Sequence, residues 1–454
     1  MAPATAAENR DRAHALVRRH GWNTTALQTA GEGFSYLFCG DGYLAYVDTG
    51  RAWVGAGAPV CPPEALPDLV QTFMQAAQAA GRRCSFFGVE KRLLEAAAHR
   101  LSSLQVGEQP IWDPGQWETV LRGHPSLREQ LRRARAKGVV VRQITDEERS
   151  LLSAPLQRLQ ARWLKSRSMP AMGFLVAAAP GYASVEGTHF VAWHRGRVVG
   201  VASLLPIFGR GGWFVEHLQR DPVAPNGTVE LLVDAAMRFA SARGCSWLTL
   251  GLAPLSGDVI RPLRRARRLL GGLYDFEGLA RFKAKFRPRE WMPIYLAFPP
   301  SQGAFVTLSD ALAAFAPGGM LRFGARFVLR GHPAVLGLLA ALLAAWTLLL
   351  ASASTAHWFL GHEAVKWAWV FFDVAVCVGI AAFVRRPSWK LSLPLALLVS
   401  VDAAVTPIEA LLWNVPRVVT LRDALVVVLA CAAPLLAAAV LWGATFRLWA
   451  LARS

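Results

Sequence analysis

Acidic residues are scarce: 31 Asp and Glu stand against 49 Lys and Arg, a formal charge of +18 over 454 residues. That balance points to polyanionic partners. The six cysteines, Cys39, Cys61, Cys84, Cys245, Cys377 and Cys431, are scattered, and none forms a CxxC pair. A disulfide framework or zinc site therefore has no ligand spacing to rest on, which suits a reducing cytoplasm. No GxGxxG or P-loop is complete; "VGAGAP" at 54–59 falls short and reads as a tight turn. There is no GxSxG elbow, so a Ser–His–Asp nucleophile is unsupported. The opening "MAPATAAENRDRAHALVRRHGW" lacks the apolar core of a signal peptide.

Long apolar runs, by contrast, fill the C-terminal end. Pro333–Ser354, Val365–Val384, Leu391–Trp413 and Ala424–Phe446 each have about the ~20 residues a helix needs to cross a bilayer. Arg322, Arg326 and Arg330 precede the first run, Arg385, Arg386 and Lys390 lie between the second and third, and Arg447 and Arg453 lie past the fourth. The positive-inside rule then places both termini and everything before the spans in the cytoplasm. Asp373, Asp402 and Glu409 fall within these runs, where acids are expensive, and helix packing is the role expected of them. Pro394, Pro407 and Pro434 are positioned to kink their helices.

Before the spans, short strands alternate with helices. "FSYLFCGDGYLAYVDTGRAWVGAGAPV" predicts three strands turning at Gly40-Asp41-Gly42 and Asp48-Thr49-Gly50-Arg51. A helix ending near Gly81, the strand "CSFFGVE" and a further helix follow. The pattern returns with a basic helix ending at Gly138, the strand "VVVRQI", a helix, a hairpin turning at Arg195-Gly196-Arg197, the strand "GGWFVEHLQ", a helix ending at Gly244 and the strand "SWLTLGLA". The fold class is α/β with a mixed sheet, expected as two halves, 1–145 and 146–300, with an amphipathic linker at 301–332 and the spans at 333–454. No close sequence repeat relates the halves.

Between Leu279 and Phe298, Arg281, Lys283, Lys285, Arg287 and Arg289 occupy every second position. Strict alternation predicts a half-exposed strand with these cations on one face. Two further basic runs fall on predicted helices: Arg128, Arg132, Arg133, Arg135 and Lys137, then Arg261, Arg264, Arg265, Arg267 and Arg268. Three such runs suggest a surface for tRNA phosphates or an anionic leaflet.

Several strings carry a family likeness: "DPVAPNGTVELLV" at 221–233, "LTLGLAPLSG" at 248–257 and "YDFEGLARFKAKFRPREWMPIYLAF" at 274–298, with weaker echoes at 40–62 and 126–141. In that order they resemble the C-terminal synthase domain of bacterial phosphatidylglycerol lysyltransferases, over about residues 10–300. The resemblance implies tandem GNAT-like folds and transfer of an amino acid from aminoacyl-tRNA to a lipid hydroxyl, with phosphatidylglycerol as acceptor and a lysyl- or alanyl-type product. It implies a multi-pass protein of the bacterial inner membrane with aminoacyl-tRNA and anionic phospholipid as partners. In the familiar proteins a large membrane region, often with a flippase, precedes this domain; here four spans follow it, so no flippase is expected. Where the family shows Asp-Leu-Met-Arg, this chain has Glu216-His217-Leu218-Gln219: a carboxylate is kept and the Arg is not.

Transfer to an alcohol needs an acceptor for the hydroxyl proton, donors for the oxyanion and charge to hold polyanions, and no metal or cofactor. Glu216, Lys283 and Lys285 are the catalytic candidates, the lysines by virtue of the family string. His217 is a candidate base because imidazole titrates near neutrality, although strand alternation should point it away from Glu216. Asn226 and Gly227 read as a turn and helix N-cap whose free N–H groups could bind an anion. Ser256 could donate near the reacting carbonyl, and Arg281 and Arg287 could hold substrate. Arg128, Arg132, Arg135, Arg264 and Arg268 form the expected phosphate patch. The alternatives are an acyl-CoA-dependent GNAT-type acyltransferase acting on a membrane lipid and a non-catalytic module that binds anionic lipid.

Overall fold

Thr5 starts the first helix with a reciprocal capping box to Glu8, and α1 (Ala6–His20) buries Ala13, Leu16 and Val17 along one stripe. The computed structural model describes residues 5–167, 169–176, 186–269, 274–352, 360 and 362–453. Two compact units result. Described residues up to Met320, apart from 165–170 and Tyr274, form the first; those two segments and 321–453 form the second.

In the first unit β1 (Ser35–Cys39), β2 (Gly42–Asp48) and β3 (Ala52–Ala56) are joined by the two expected turns. There follow α2 (Leu66–Ala79), β4 (Arg83–Val89), α3 (Lys91–Ala96), β5 (Ser102–Trp112), α4 (Trp117–Gly123), α5 (Pro125–Ala136) and β6 (Val139–Ile144). Then come α6 (Asp146–Leu151), α7 (Ser153–Ser166), β7 (Thr188–His194), β8 (Arg197–Ile207), β9 (Gly212–Arg220), α8 (Thr228–Ala242), β10 (Leu248–Thr249) and β11 (Ala253–Pro254). The unit ends with α9 (Arg261–Leu269), α10 (Phe276–Ala284), β12 (Glu290–Phe298) and α11 (Ala304–Ala314). Arg195 and Gly196 both take positive φ, 51° and 74°, which gives the β7–β8 hairpin the twist of a type I′ turn.

The strands form one mixed sheet in the order β1-β2-β3-β4-β12-β5-β10-β9-β8-β7-β6, with β11 added on β5. Only β3–β4 and β9–β10 are parallel among the described pairs. The last strand, β12, lies between β4 and β5 and pairs antiparallel with both. Helices cover both faces. Leu127, Leu131, Leu232, Met237 and Phe286 pack with Val215 on one side of β9. Leu16, Val17, Leu27 and Tyr43 pack with Phe214 on the other.

The main segment of the second unit takes up α12 (Met320–Leu329) from Leu321, with none of the helix's residues buried, and continues into four apolar helices: α13 (Pro333–Ser352), α14 (Glu363–Arg385), α15 (Trp389–Glu409) and α16 (Leu421–Arg453). All four are long and apolar enough to cross a membrane, with the third span running on to Arg417. The expected end of the first span at Ser354 lies outside the described residues. After Pro407, which removes a backbone donor from α15, the helix loosens into a π-turn at Ala410–Asn414.

Candidate active-site cleft

The alternating cations of 281–289 do not form a strand. Residues 276–284 are helical, and β12 starts only at Glu290. Asp275 caps the helix by accepting from the Gly278 N–H at 2.7 Å. Phe282 and Phe286, four residues apart, meet at 5.2 Å between ring centroids and drop into the core beside α8. Arg287 then takes a left-handed φ of 52°, and Pro288 follows, so the helix stops.

On a helix, residues two apart point about 200° from one another, so Lys283 and Lys285 do not share a face. Lys283 is buried and donates to the carbonyls of Leu250, Gly251 and Leu252, each at 2.8 Å. Burial pushes its ammonium down to about 7. The three carbonyls pull the other way, because a neutral amine has only two N–H groups to offer them. Lys285 faces outward enough to line a cleft and pairs with Glu230 at 2.7 Å. Gln130 donates to the same carboxylate at 3.3 Å.

Two adjoining clefts share Ser126. One, of about 440 Å³, is lined by Ser126, Glu129, Gln130, Arg133, Lys137 and Asn226. The other, of about 300 Å³, is lined by His124, Ser126, Arg281, Ala284, Lys285 and Arg287. The N-terminus of α8 meets α5 here because Gly227, with φ 98°, has no Cβ; one would lie 2.7 Å from Ala134 Cβ. The helix N-cap is Gly227 and not Asn226, and it offers no side-chain cap. The Asn226 side-chain Oδ1 instead accepts from Arg220 Nη1 at 3.5 Å.

The α5 arginines divide by face. Arg128 donates to the backbone carbonyls of Leu121 and Arg122, Arg132 grips Glu129, and Arg135 pairs with Asp234 at 2.7 Å. Arg133 and Lys137 line the cleft, Arg133 while also paired with Glu129 at 2.7 Å. Arg264 and Arg268 lie exposed on α9.

Glu216 and His217 break strand alternation. The β8–β9 register pairs Ser203 with His217 and Leu204 with Val215, which leaves Glu216 as the extra residue of a bulge. The Glu216 carboxylate consequently lies 3.5 Å from His217 Nε2, contrary to the expected opposite faces. Gln28 fixes it by donating to Glu216 Oε1 at 2.8 Å and to the Leu175 carbonyl at 3.1 Å. Gln28 belongs to the α1 side of the sheet, so Glu216 and the basic cleft approach β9 from different faces. Pairing between β9 and β10 ends at Phe214–Thr249, two residues before Glu216. The carbonyls that follow on the β10 side, 250–252, are the three taken by Lys283. Lys283 thus satisfies the carbonyls that follow where the β9–β10 pairing ends.

Ser256 turns out to be a pin. Its hydroxyl donates to the Ala253 carbonyl at 2.8 Å and accepts from the Glu108 N–H at 3.1 Å, which ties β11 to β5. Among the described residues no cluster of His, Cys, Asp or Glu has the makings of a metal site.

A family model described as phosphatidylglycerol lysyltransferase, C-terminal, matches residues 14–298. The chain belongs to this family. The bifunctional lysylphosphatidylglycerol biosynthesis protein LysX of Nocardia farcinica is 27% identical over 282 residues, 57% of this chain and 24% of that protein. The phosphatidylglycerol lysyltransferase of Bacillus subtilis is 23% identical over 287 residues, 61% of this chain and 33% of that protein. The chain therefore spans between a quarter and a third of these relatives. The crystal structure of the C-terminal domain of a protein assigned as a lysylphosphatidylglycerol synthetase, from Agrobacterium fabrum, superposes with a TM-score of 0.61 at 26% identity, covering 70% of this chain and all of that one.

The lysyltransferase-like strings converge in the fold. The string at 221–233 supplies Asn226, Gly227 and Glu230; that at 248–257 supplies the carbonyls under Lys283; that at 274–298 supplies Lys283 itself and the cleft wall. Sequence reasoning missed Gln28, His124, Ser126 and Gln130. Gln28 and His124 are isolated polar residues without a motif, and Ser126 and Gln130 lie in the weaker echo at 126–141, where the arginines drew the reading; the tertiary fold reveals their place.

Proposed function

We propose that this chain transfers an amino acid from aminoacyl-tRNA to the hydroxyl of a membrane lipid, phosphatidylglycerol being the acceptor its family membership favours. The carrying observation is the basic cleft, where Arg133, Lys137, Arg281, Lys285 and Arg287 converge with Glu129 as the one carboxylate among its lining residues. Such a cleft suits a polyanion. The lipid oxygen attacks the aminoacyl ester carbonyl, the ester C–O bond to the tRNA ribose breaks, and the ribose oxygen leaves with a proton. Glu216, held by Gln28 and adjoining His217, is the group we assign to accept the lipid proton and pass it to the leaving oxygen. No electron transfer is involved. The four spans hold the site at the membrane, with both termini on the cytoplasmic side by the placement of Arg385, Arg386 and Lys390.

Membranes carrying the protein, given charged tRNA and labelled amino acid, should yield a labelled, base-labile lipid. RNase pretreatment should abolish it. A product that forms undiminished after RNase refutes tRNA as donor; the absence of any labelled lipid refutes the transfer itself.

A further inference from the structure

We infer that Arg330 and Arg447 form a binding site for the phosphate of an anionic phospholipid, at the membrane-surface ends of α12 and α16. The backbone there is unusually close. A Cβ on Gly331 would lie 2.5 Å from Ala444 Cβ, and one on Gly443 would lie 1.8 Å from the Leu329 carbonyl oxygen. Two glycines thus let the end of α12 cross α16 in direct contact, which brings Arg330 within electrostatic range of Arg447, one turn beyond Ala444.

The two guanidinium groups differ in what already holds them. Arg330 Nη1 donates to the carbonyls of Arg167 at 3.2 Å and Met169 at 2.8 Å. Arg447 Nε is buried and has no hydrogen-bond partner. The charge acting on Arg447 is that of Arg330, which repels it. A buried, unsatisfied donor on a cation beside a second cation is destabilising unless an anion enters. A phosphate diester fits: it offers acceptor oxygens to a fork-shaped donor and offsets both charges.

Where the site lies selects the source of that phosphate. Four consecutive spans alternate in direction, so the start of α13, the α14–α15 connection and the end of α16 share one membrane face. That face also carries Arg385, Arg386 and Lys390. Phe446 beside Arg447 is 61% exposed and Leu329 beside Arg330 is 44% exposed, which leaves apolar surface for acyl chains next to the guanidinium pair. Arg322 and Arg326 on α12 add the basic face of a helix that lies in the headgroup layer. Free phosphate would find the charge but gain nothing from that apolar surface. The site belongs to the second unit, and its occupancy does not depend on the transfer reaction.

The test uses the full-length protein in detergent, examined by native mass spectrometry after addition of phosphatidylglycerol, phosphatidylethanolamine or inorganic phosphate. Retained phosphatidylglycerol should fall roughly tenfold in Arg447→Gln and in Arg330→Gln, the loss of one charge-assisted contact. Arg447→Lys keeps the charge without the fork and should retain an intermediate amount. Inorganic phosphate should not displace the lipid. Phosphatidylglycerol retention equal to wild type in Arg447→Gln overturns the site, and displacement by inorganic phosphate overturns the lipid as its ligand. Should Arg447→Gln fail to fold, the comparison rests on Arg447→Lys at unchanged melting temperature, where undiminished retention overturns the proposal.

Discussion

Replacing Lys283 with Met should change how stability depends on pH more than stability at neutrality. Two effects oppose each other. The substitution orphans the carbonyls of Leu250, Gly251 and Leu252, at about 1–3 kcal/mol for each buried group left unsatisfied. It also removes a buried ammonium pushed down to about 7. At 1.36 kcal/mol per pKa unit, the distance from an ordinary lysine at about 10.4 amounts to roughly 5 kcal/mol, so near neutrality the two nearly cancel. Above it they separate. Because the folded pKa is depressed, the unfolded chain binds more protons between about pH 7 and pH 10, and wild-type stability rises with pH across that window, by at most about 4 kcal/mol. The penalty of the buried charge is fully present below about pH 7 and is relieved as pH rises. Lys283→Met lacks this term, and other titrating groups cancel in the difference. Tryptophan-fluorescence melting of the full-length protein in detergent should therefore show wild type and variant close at about pH 7 and separated by roughly 6–12 °C at about pH 10. Parallel melting temperatures across that window refute the buried-lysine account.

Three further outcomes follow from the site. Gly227→Ala places a methyl 2.7 Å from Ala134 Cβ at φ 98°, so it should destabilise by ~2 kcal/mol and reduce transfer, seen as a lower melting temperature; an unchanged one contradicts the close α5–α8 approach. Glu216→Gln keeps an acceptor for Gln28 but loses the base, so transfer should fall about 100-fold with the melting temperature held; wild-type turnover removes Glu216 from proton transfer. Arg281→Ala and Arg287→Ala should each weaken tRNA binding and reduce the slope of log affinity against log salt by about 1; an unaltered slope takes the polyanion out of that cleft.

Much of the fold was legible because turns and periodicity spoke locally. Gly40-Asp41-Gly42, Arg195-Gly196-Arg197 and the apolar run from Pro333 onward each announced an element that the structure shows. The basic stretch misled because cations at every second position imitate a strand, whereas Phe282 and Phe286, four apart, carried the helical signal. β5 went unread: Gly107, Glu108, Gln109 and Pro110 look like a loop, yet the strand lies central, paired with β12 on one side and β10 on the other. Gly107 is needed because a Cβ there would lie 2.3 Å from the Ala253 carbonyl oxygen of β11. The Glu216 bulge and the Lys283 tripod depend on partners far away in sequence, which no local pattern encodes.

The insertion of β12 between β4 and β5 bears on how the protein is made. Synthesis runs from the N-terminus, and segments able to fold begin to do so as they emerge. Here β4 and β5 wait with unpaired inner edges until residues 290–298 arrive. Only α11 and α12 then precede the first apolar span, which begins at Pro333. Closure of the sheet and delivery to the membrane thus fall almost together in time. A nascent chain stalled before Glu290 would present two sticky strand edges to the cytoplasm, a state that chaperones or proteases are placed to meet.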